Sequence, residues 1–191
     1  MNNIIFIKGE GGLGRQQPGE DYVSGLIFFS SSLPSGFTST NRVKKFNSIR
    51  DAVTAGITPN HIGETKATGS YLVTNIGTNG DGVVLKVVGK EGVVTTMATF
   101  VKSNGQADVN AGATKIASLI NEGTITHGYT AVANTATVTI TAPAGMGIFL
   151  NSGTPLSATV TGTFAGTLTA FSGGVASRID VMHYHINQFF Q

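Results

Sequence analysis

Gly9, Gly11 and Gly14 stand in the G-x-G-x-x-G spacing that lets backbone amides wrap a dinucleotide pyrophosphate, directly after the apolar run Ile4-Ile5-Phe6-Ile7. That chemistry needs the glycines to open a helix, because the N–H groups of its first turn hold the phosphates. Here they lead into Arg15-Gln16-Gln17-Pro18-Gly19. Gly14 and Gly19 disfavour helix, and Pro18 pushes Gln17 out of the helical region. The acidic residue that would hold a ribose about 20 positions further on is missing, with SSSLPSGFTST in its place. The expectation is therefore no cofactor, and a glycine hinge (Gly9, Gly11, Gly12, Gly14) between an apolar strand and a second one, Tyr22–Phe29.

The remaining candidates for chemistry are sparse. The four histidines are His61, His127, His183 and His185. His183 and His185 are two apart in a stretch of helical period, so they point to nearly opposite sides and do not chelate one ion. No cysteine exists to join them, and no metal site is expected. Glu20-Asp21 are adjacent, which favours a solvated or capping role over paired acid–base work. There is no G-x-S-x-G, and no histidine lies near a plausible Ser–Asp set. Enzymatic function is not expected.

Bulk composition narrows the partners. Across 191 residues, 12 basic and 10 acidic side chains give a net charge of +2. Arg42, Lys44, Lys45 and Arg50 form the one basic cluster, which reads as a solvated face rather than a nucleic-acid stripe. The absence of cysteine fits folding in a reducing cytoplasm. MNNIIFIKGE has no basic n-region and only four successive apolar residues, so no secretory leader and no membrane insertion are expected. Charged residues are 12% of the chain, about half the usual share, and Gly123–Ser177 contains none. Such a surface suits a protein covered by copies of itself.

The elements that must position these residues fall into two groups. In the middle, Tyr71–Ile76 and Val83–Val88 flank GTNGDG, whose Asn-Gly and Asp-Gly supply the positive φ of a hairpin turn. Val93–Val101 is a further strand. Ala113–Glu122 is a helix with Ala113, Ile116, Ala117 and Ile120 on one face and Gly123 at its stop. ATVTITA alternates, with Val138 and Ile140 on one side and Thr137, Thr139 and Thr141 on the other. Ser157–Phe164 and Thr167–Phe171 complete the series. At the ends, Ser48–Asp51 forms a capping box before a short helix stopped at Gly56. Arg178–Phe190 sets Ile179, Met182, Ile186 and Phe189 at helical spacing. The resulting expectation is an α+β protein. A small α/β frame (residues 1–61 and 175–191) is interrupted by a β-rich, sandwich- or barrel-like insert with one helix (62–174).

GGLGRQQPGEDYVSGLIFF (Gly11–Phe29), LPSGFTSTNRVKKFNSIRDAVTAGI (Leu33–Ile57) and MHYHINQFF (Met182–Phe190) resemble the N-terminal portion of contractile tail sheath proteins of bacteriophages and related injection particles. The resemblance covers about a third of the chain, in the family's order. It implies a structural subunit that polymerises with itself into helical rings around a tail tube protein, bounded by baseplate proteins. Such a subunit is assembled in a bacterial host cytoplasm and resides in the virion tail. It implies terminal arms that add strands to neighbouring subunits, a role that would fall to Ile4, Ile5, Phe6 and Ile7. Family members are longer, so the resemblance also implies that the natural chain continues past Gln191. The alternative expectation is a virion surface module whose β-rich part binds a host glycan or protein, with Tyr71 and Tyr129 as its stacking candidates.

Overall fold

The computed structural model describes residues 7–8, 24–30, 33–151 and 155–191. The chain is an α+β protein and divides into two compact units, one from residues 1–62 with 178–191 and one from 63–177.

In the first unit, strand β1 (Ile7–Lys8) pairs antiparallel with β2 (Ser24–Gly25). The apolar run predicts a strand over Tyr22–Phe29, but among its described residues only Ser24–Gly25 has a ladder partner. The residues after it alternate in burial, with Leu26 and Phe28 half-buried and Ile27 and Phe29 exposed. Helix α1 (Ile49–Thr54) starts where the capping box puts it: Ser48 Oγ accepts the Asp51 amide at 3.2 Å, and the Asp51 carboxylate accepts the Asn47 amide at 3.1 Å. It ends at Ala55, followed by Gly56 at φ +85°. The loop at Gly36 then lies directly on the helix end, its amide donating to the Ala55 carbonyl at 3.0 Å. A Cβ on Gly36 would sit 2.6 Å from that oxygen, so the approach needs glycine. Ala52 and Ile57 pack with Met182 and Ile186 of the C-terminal helix Arg178–Phe189, and Leu26, Phe28, Phe37, Phe46 and Phe190 surround them. Phe190 thus joins this small core, whereas Phe189, expected on the apolar stripe, is half exposed.

The second unit holds seven strands in two antiparallel sheets around one core. The first sheet has the order β6-β7-β3-β9, from Thr130–Asn134, Thr137–Thr141, Thr68–Asn75 and Ala165–Ser172. The second has the order β5-β4-β8, from Val94–Val101, Gly82–Val88 and Leu156–Thr161. The hairpin expected across GTNGDG does not form. Its flanking strands β3 and β4 lie in different sheets, and the connection crosses between them. The chain crosses again from β8 to β9.

Helix α2 (Val109–Glu122) links β5 to β6 and packs on strands of both sheets. Its predicted face is the one buried, with Ala113, Ile116 and Ile120 each 0% exposed. It begins four residues earlier than the apolar spacing suggests, because the Asp108 carboxylate caps it by accepting the Ala111 amide at 2.8 Å. A single turn, α3 (Thr124–His127), and a 3-10 turn, Phe149–Asn151, add to the one helix expected here; the C-terminal helix of the first unit is α4. Between Leu85 and Lys86 the β4–β5 register slips by one residue. That bulge lets the neighbours Met97 and Ala98 both turn inward.

Candidate assembly surfaces

Of the arm and hinge residues, Ile7 lies in β1 opposite Gly25, with Lys8 opposite Ser24. Ile4, Ile5, Phe6, Gly9, Gly11, Gly12 and Gly14 lie outside the described residues, as do Glu20 and Asp21. Arg42, Lys44, Lys45 and Arg50 are all exposed, Lys44 resting over the Phe37 ring with its ammonium 5.5 Å from the centroid.

The histidines do not converge. His183 and His185 sit two apart on α4, and the His185 ring lies 6.2 Å from that of Phe28. His61 adopts a left-handed backbone (φ +61°), donates its amide to Asp180 Oδ1 at 2.9 Å, and pairs through Nδ1 with Asp180 Oδ2. His127 accepts the Tyr129 amide at Nδ1 (3.1 Å); burial lowers its pKa, opposed by the Met97 carbonyl. Among the described residues no group of three or more His, Asp or Glu gathers. Tyr71 and Tyr129, the stacking candidates, are 1% and 4% exposed and belong to the core. Burial pushes the Tyr71 phenol up to about 12 and raises that of Tyr129.

What the second unit presents instead is an uncharged sheet face. The register of the first sheet sets its outward side chains in three rows of four. The first row is Thr130, Thr141, Thr68 and Ser172. The second is Val132, Thr139, Ser70 and Thr169. The third is Asn134, Thr137, Leu72 and Thr167. Every one is exposed or half-buried, and none is charged. None of the hydroxyls in these rows hydrogen-bonds another described residue. The alternation in β7 pointed to one inner Thr column of this face; the rest needs the register of three further strands, which brings Ser172 beside Thr68. The outer side of the second sheet is similar: Val88 beside Val94, Lys86 beside Thr96 and Ser157, and Val84 beside Thr99 and Thr159. Lys86 is its one charge in those rows.

The sheet edge beside these rows is capped at one position. The Asn121 side chain of α2 donates to the Ala131 carbonyl and accepts the Ala131 amide, both at 2.8 Å. It thereby occupies both outward backbone groups of Ala131 on edge strand β6 as a neighbouring strand would. No family model, curated protein or solved structure matches this chain. Among the described residues no helix is long and apolar enough to cross a membrane.

Two of the four crossings between the sheets, β3 to β4 and β8 to β9, are held by a single carboxylate. Asp81 Oδ2 accepts the Thr78 amide at 2.8 Å, the Thr163 hydroxyl at 2.8 Å and the Thr163 amide at 3.1 Å. These donors bring its pKa down to about 2, the Thr78 amide contributing most. The ends of the unit are likewise tied. Thr65 and Val175 exchange backbone hydrogen bonds at 3.0 and 2.8 Å, and Asn151 binds both backbone groups of Gly174. Glu64 accepts the amides of Gly145 and Gly147 at 2.8 and 2.7 Å.

Proposed function

We propose that this chain is a structural subunit of a contractile tail sheath, polymerising through strand-donating arms, with unit 63–177 as an inserted domain facing outward. The observation that carries the reading is the β1–β2 register. Ile7 stands opposite Gly25 and Lys8 opposite Ser24, and Leu26–Phe29, which continue from β2, have no ladder partner among the described residues. Leu26 and Phe28 already lean on the first unit's core, while Ile27 and Phe29 are 42% and 73% exposed. An apolar strand in this register covers those side chains and supplies ladder hydrogen bonds. The same residues on a neighbouring copy offer the same register, and a glycine hinge permits the exchange.

The resemblance of both ends to sheath proteins supplies the rest of the reading: a tail tube protein within, baseplate proteins at the end, and the virion tail as location. A glycan-binding module is less well supported, because Tyr71 and Tyr129 are buried and the threonine rows contain no aromatic ring. Electron microscopy of the full-length protein tests the proposal. Wild type should form tubes. Deletion of residues 1–10, or Ile5→Pro, should leave the fold intact and abolish them. Tubes formed normally by both variants would overturn it.

A further inference from the structure

Two asparagine–glycine pairs occur in the chain, Asn79-Gly80 and Asn104-Gly105, and the fold of unit 63–177 brings them side by side. Such a pair is open to one spontaneous reaction, because glycine has no Cβ to shield its amide nitrogen from the side-chain carbonyl before it. Both asparagines are exposed, so water reaches both. Their hydrogen bonds set them apart. The Gly80 amide donates to the Lys102 carbonyl at 3.1 Å and the Lys102 amide to the Asp81 carbonyl at 2.8 Å, which carries the β4–β5 pairing past Gly82. The Asn79 side chain is held at both ends, Oδ1 accepting the Lys102 ammonium at 3.3 Å and Nδ2 donating to Asn104 Oδ1. An ammonium only donates, so it fixes which end of Asn79 is oxygen and, through Asn79, which end of Asn104 is. Asn104 lies in a turn closed by the Gln106 amide on the Ser103 carbonyl at 3.2 Å, and the Gly105 amide donates to no described residue.

We infer that Asn104 is a self-modification site, at which the Gly105 amide nitrogen closes on the side-chain carbonyl while Asn79 is protected. The nitrogen gives its proton to solvent and bonds to Asn104 Cγ. The carbonyl electron pair moves onto Oδ1, where the Asn79 N–H already points and stabilises the charge. The Cγ–Nδ2 bond then breaks, and ammonia leaves with a proton from solvent, giving a five-membered imide. Water opens the imide at either carbonyl to leave aspartate or isoaspartate, with nothing oxidised or reduced. The Lys102 ammonium favours the same charge on Asn79 Oδ1. The ring cannot close there, however, until Gly80 leaves the Lys102 carbonyl and the turn held by the Asp81 amide on the Thr78 carbonyl opens. Each event at Asn104 puts a carboxylate four residues before Asp108, the cap of α2, and isoaspartate adds a carbon to the main chain there. The unit thus has a corner whose charge changes with age.

The test is to hold the full chain in mildly alkaline buffer and follow both sites by mass spectrometry. Trypsin separates them, Asn79 falling in peptide 67–86 and Asn104 in peptide 103–115, and fragment ions set them apart from Asn75 and Asn110. Asn104 should turn acidic about tenfold faster than Asn79, the scale of a backbone hydrogen bond that must break first. In urea, where these bonds are gone, the two rates should converge. Gly105→Ala should remove most of the reaction at Asn104. Gly105 has no positive φ, and a Cβ there meets only Ser103 Oγ at 3.8 Å, so the fold accepts the change. Asn79→Ala should slow Asn104 about threefold by removing the donor to its carbonyl. Equal rates in the folded chain, faster reaction at Asn79, or an Asn104 that reacts only in urea overturns the inference. An Asn104 rate untouched by Asn79→Ala overturns the part given to the Asn79 donor.

Discussion

Thr163 donates both its amide and its hydroxyl to one carboxylate oxygen of Asp81, 82 positions earlier, at 3.1 and 2.8 Å. Both residues lie in segments that carry the chain from one sheet to the other, so one side chain fixes the two crossings against each other. Asp81→Ala should lower the melting temperature without altering the strands. The pH dependence has a definite sign. The carboxyl has a pKa of about 2 when folded, against 3.8 ordinarily, so its contribution is complete above 3.8 and lost as pH falls toward 2. Melting curves of wild type and variant should converge across that window. A constant gap down to the lowest pH would refute the role given to Asp81.

The Tyr71 phenol oxygen is buried with no hydrogen-bond partner among the described residues. Tyr71→Phe should thus be neutral or stabilising by about 1 kcal/mol in urea unfolding, since it removes a desolvated group that receives nothing in return. The ring lies against Gly166, where a Cβ would overlap the end of the phenol. Gly166→Ala should cost about 1–3 kcal/mol, and part of that cost should disappear in the Tyr71→Phe background. Additive effects would show that the two sites are not in contact.

Thr135 turns the chain between β6 and β7 at φ +49°, a conformation that β-branched residues rarely adopt. Its hydroxyl bonds the Asn134 carbonyl at 2.7 Å. Thr135→Gly should raise stability by about 1 kcal/mol through relief of that strain. A loss of stability would mean that the hydroxyl contact outweighs it.

Unit 63–177 has its own core, and its ends are held together by Thr65 and Val175. Expressed alone it should melt cooperatively with a β-rich spectrum. Ile116→Ala, at a site with no exposure, should cost about 2–5 kcal/mol there. A non-cooperative product would end the description of it as an independent domain.

What could be read from the sequence depended on the range of the interactions involved. The capping box at Ser48, the buried face of α2 and the alternation in β7 are set by residues within a turn or two of each other, and each formed as read. The turns misled in both directions. GTNGDG has the chemistry of a hairpin, and Gly80 does take a positive φ, yet the strands on either side lie in different sheets, and Asp81 and Thr163 hold the crossing there. Of the two hairpins that do form, β4–β5 and β6–β7, the second turns at Thr135-Ala136, which carries no hairpin signal, and β6 itself went unread. The threonine rows were one-quarter visible, as Thr137, Thr139 and Thr141. The other three strands join them through a register that no local pattern encodes.

The bridge between Thr65 and Val175 has a consequence for how such a chain can change over generations. Closing a flexible loop costs free energy that rises with its length. A folded unit whose first and last strands already touch presents its host with only the short gap between two adjacent backbones, however many residues it contains. Genes encoding the smaller frame could gain, lose or exchange such a module in one step, with the frame sensing little more than a hairpin's worth of added chain.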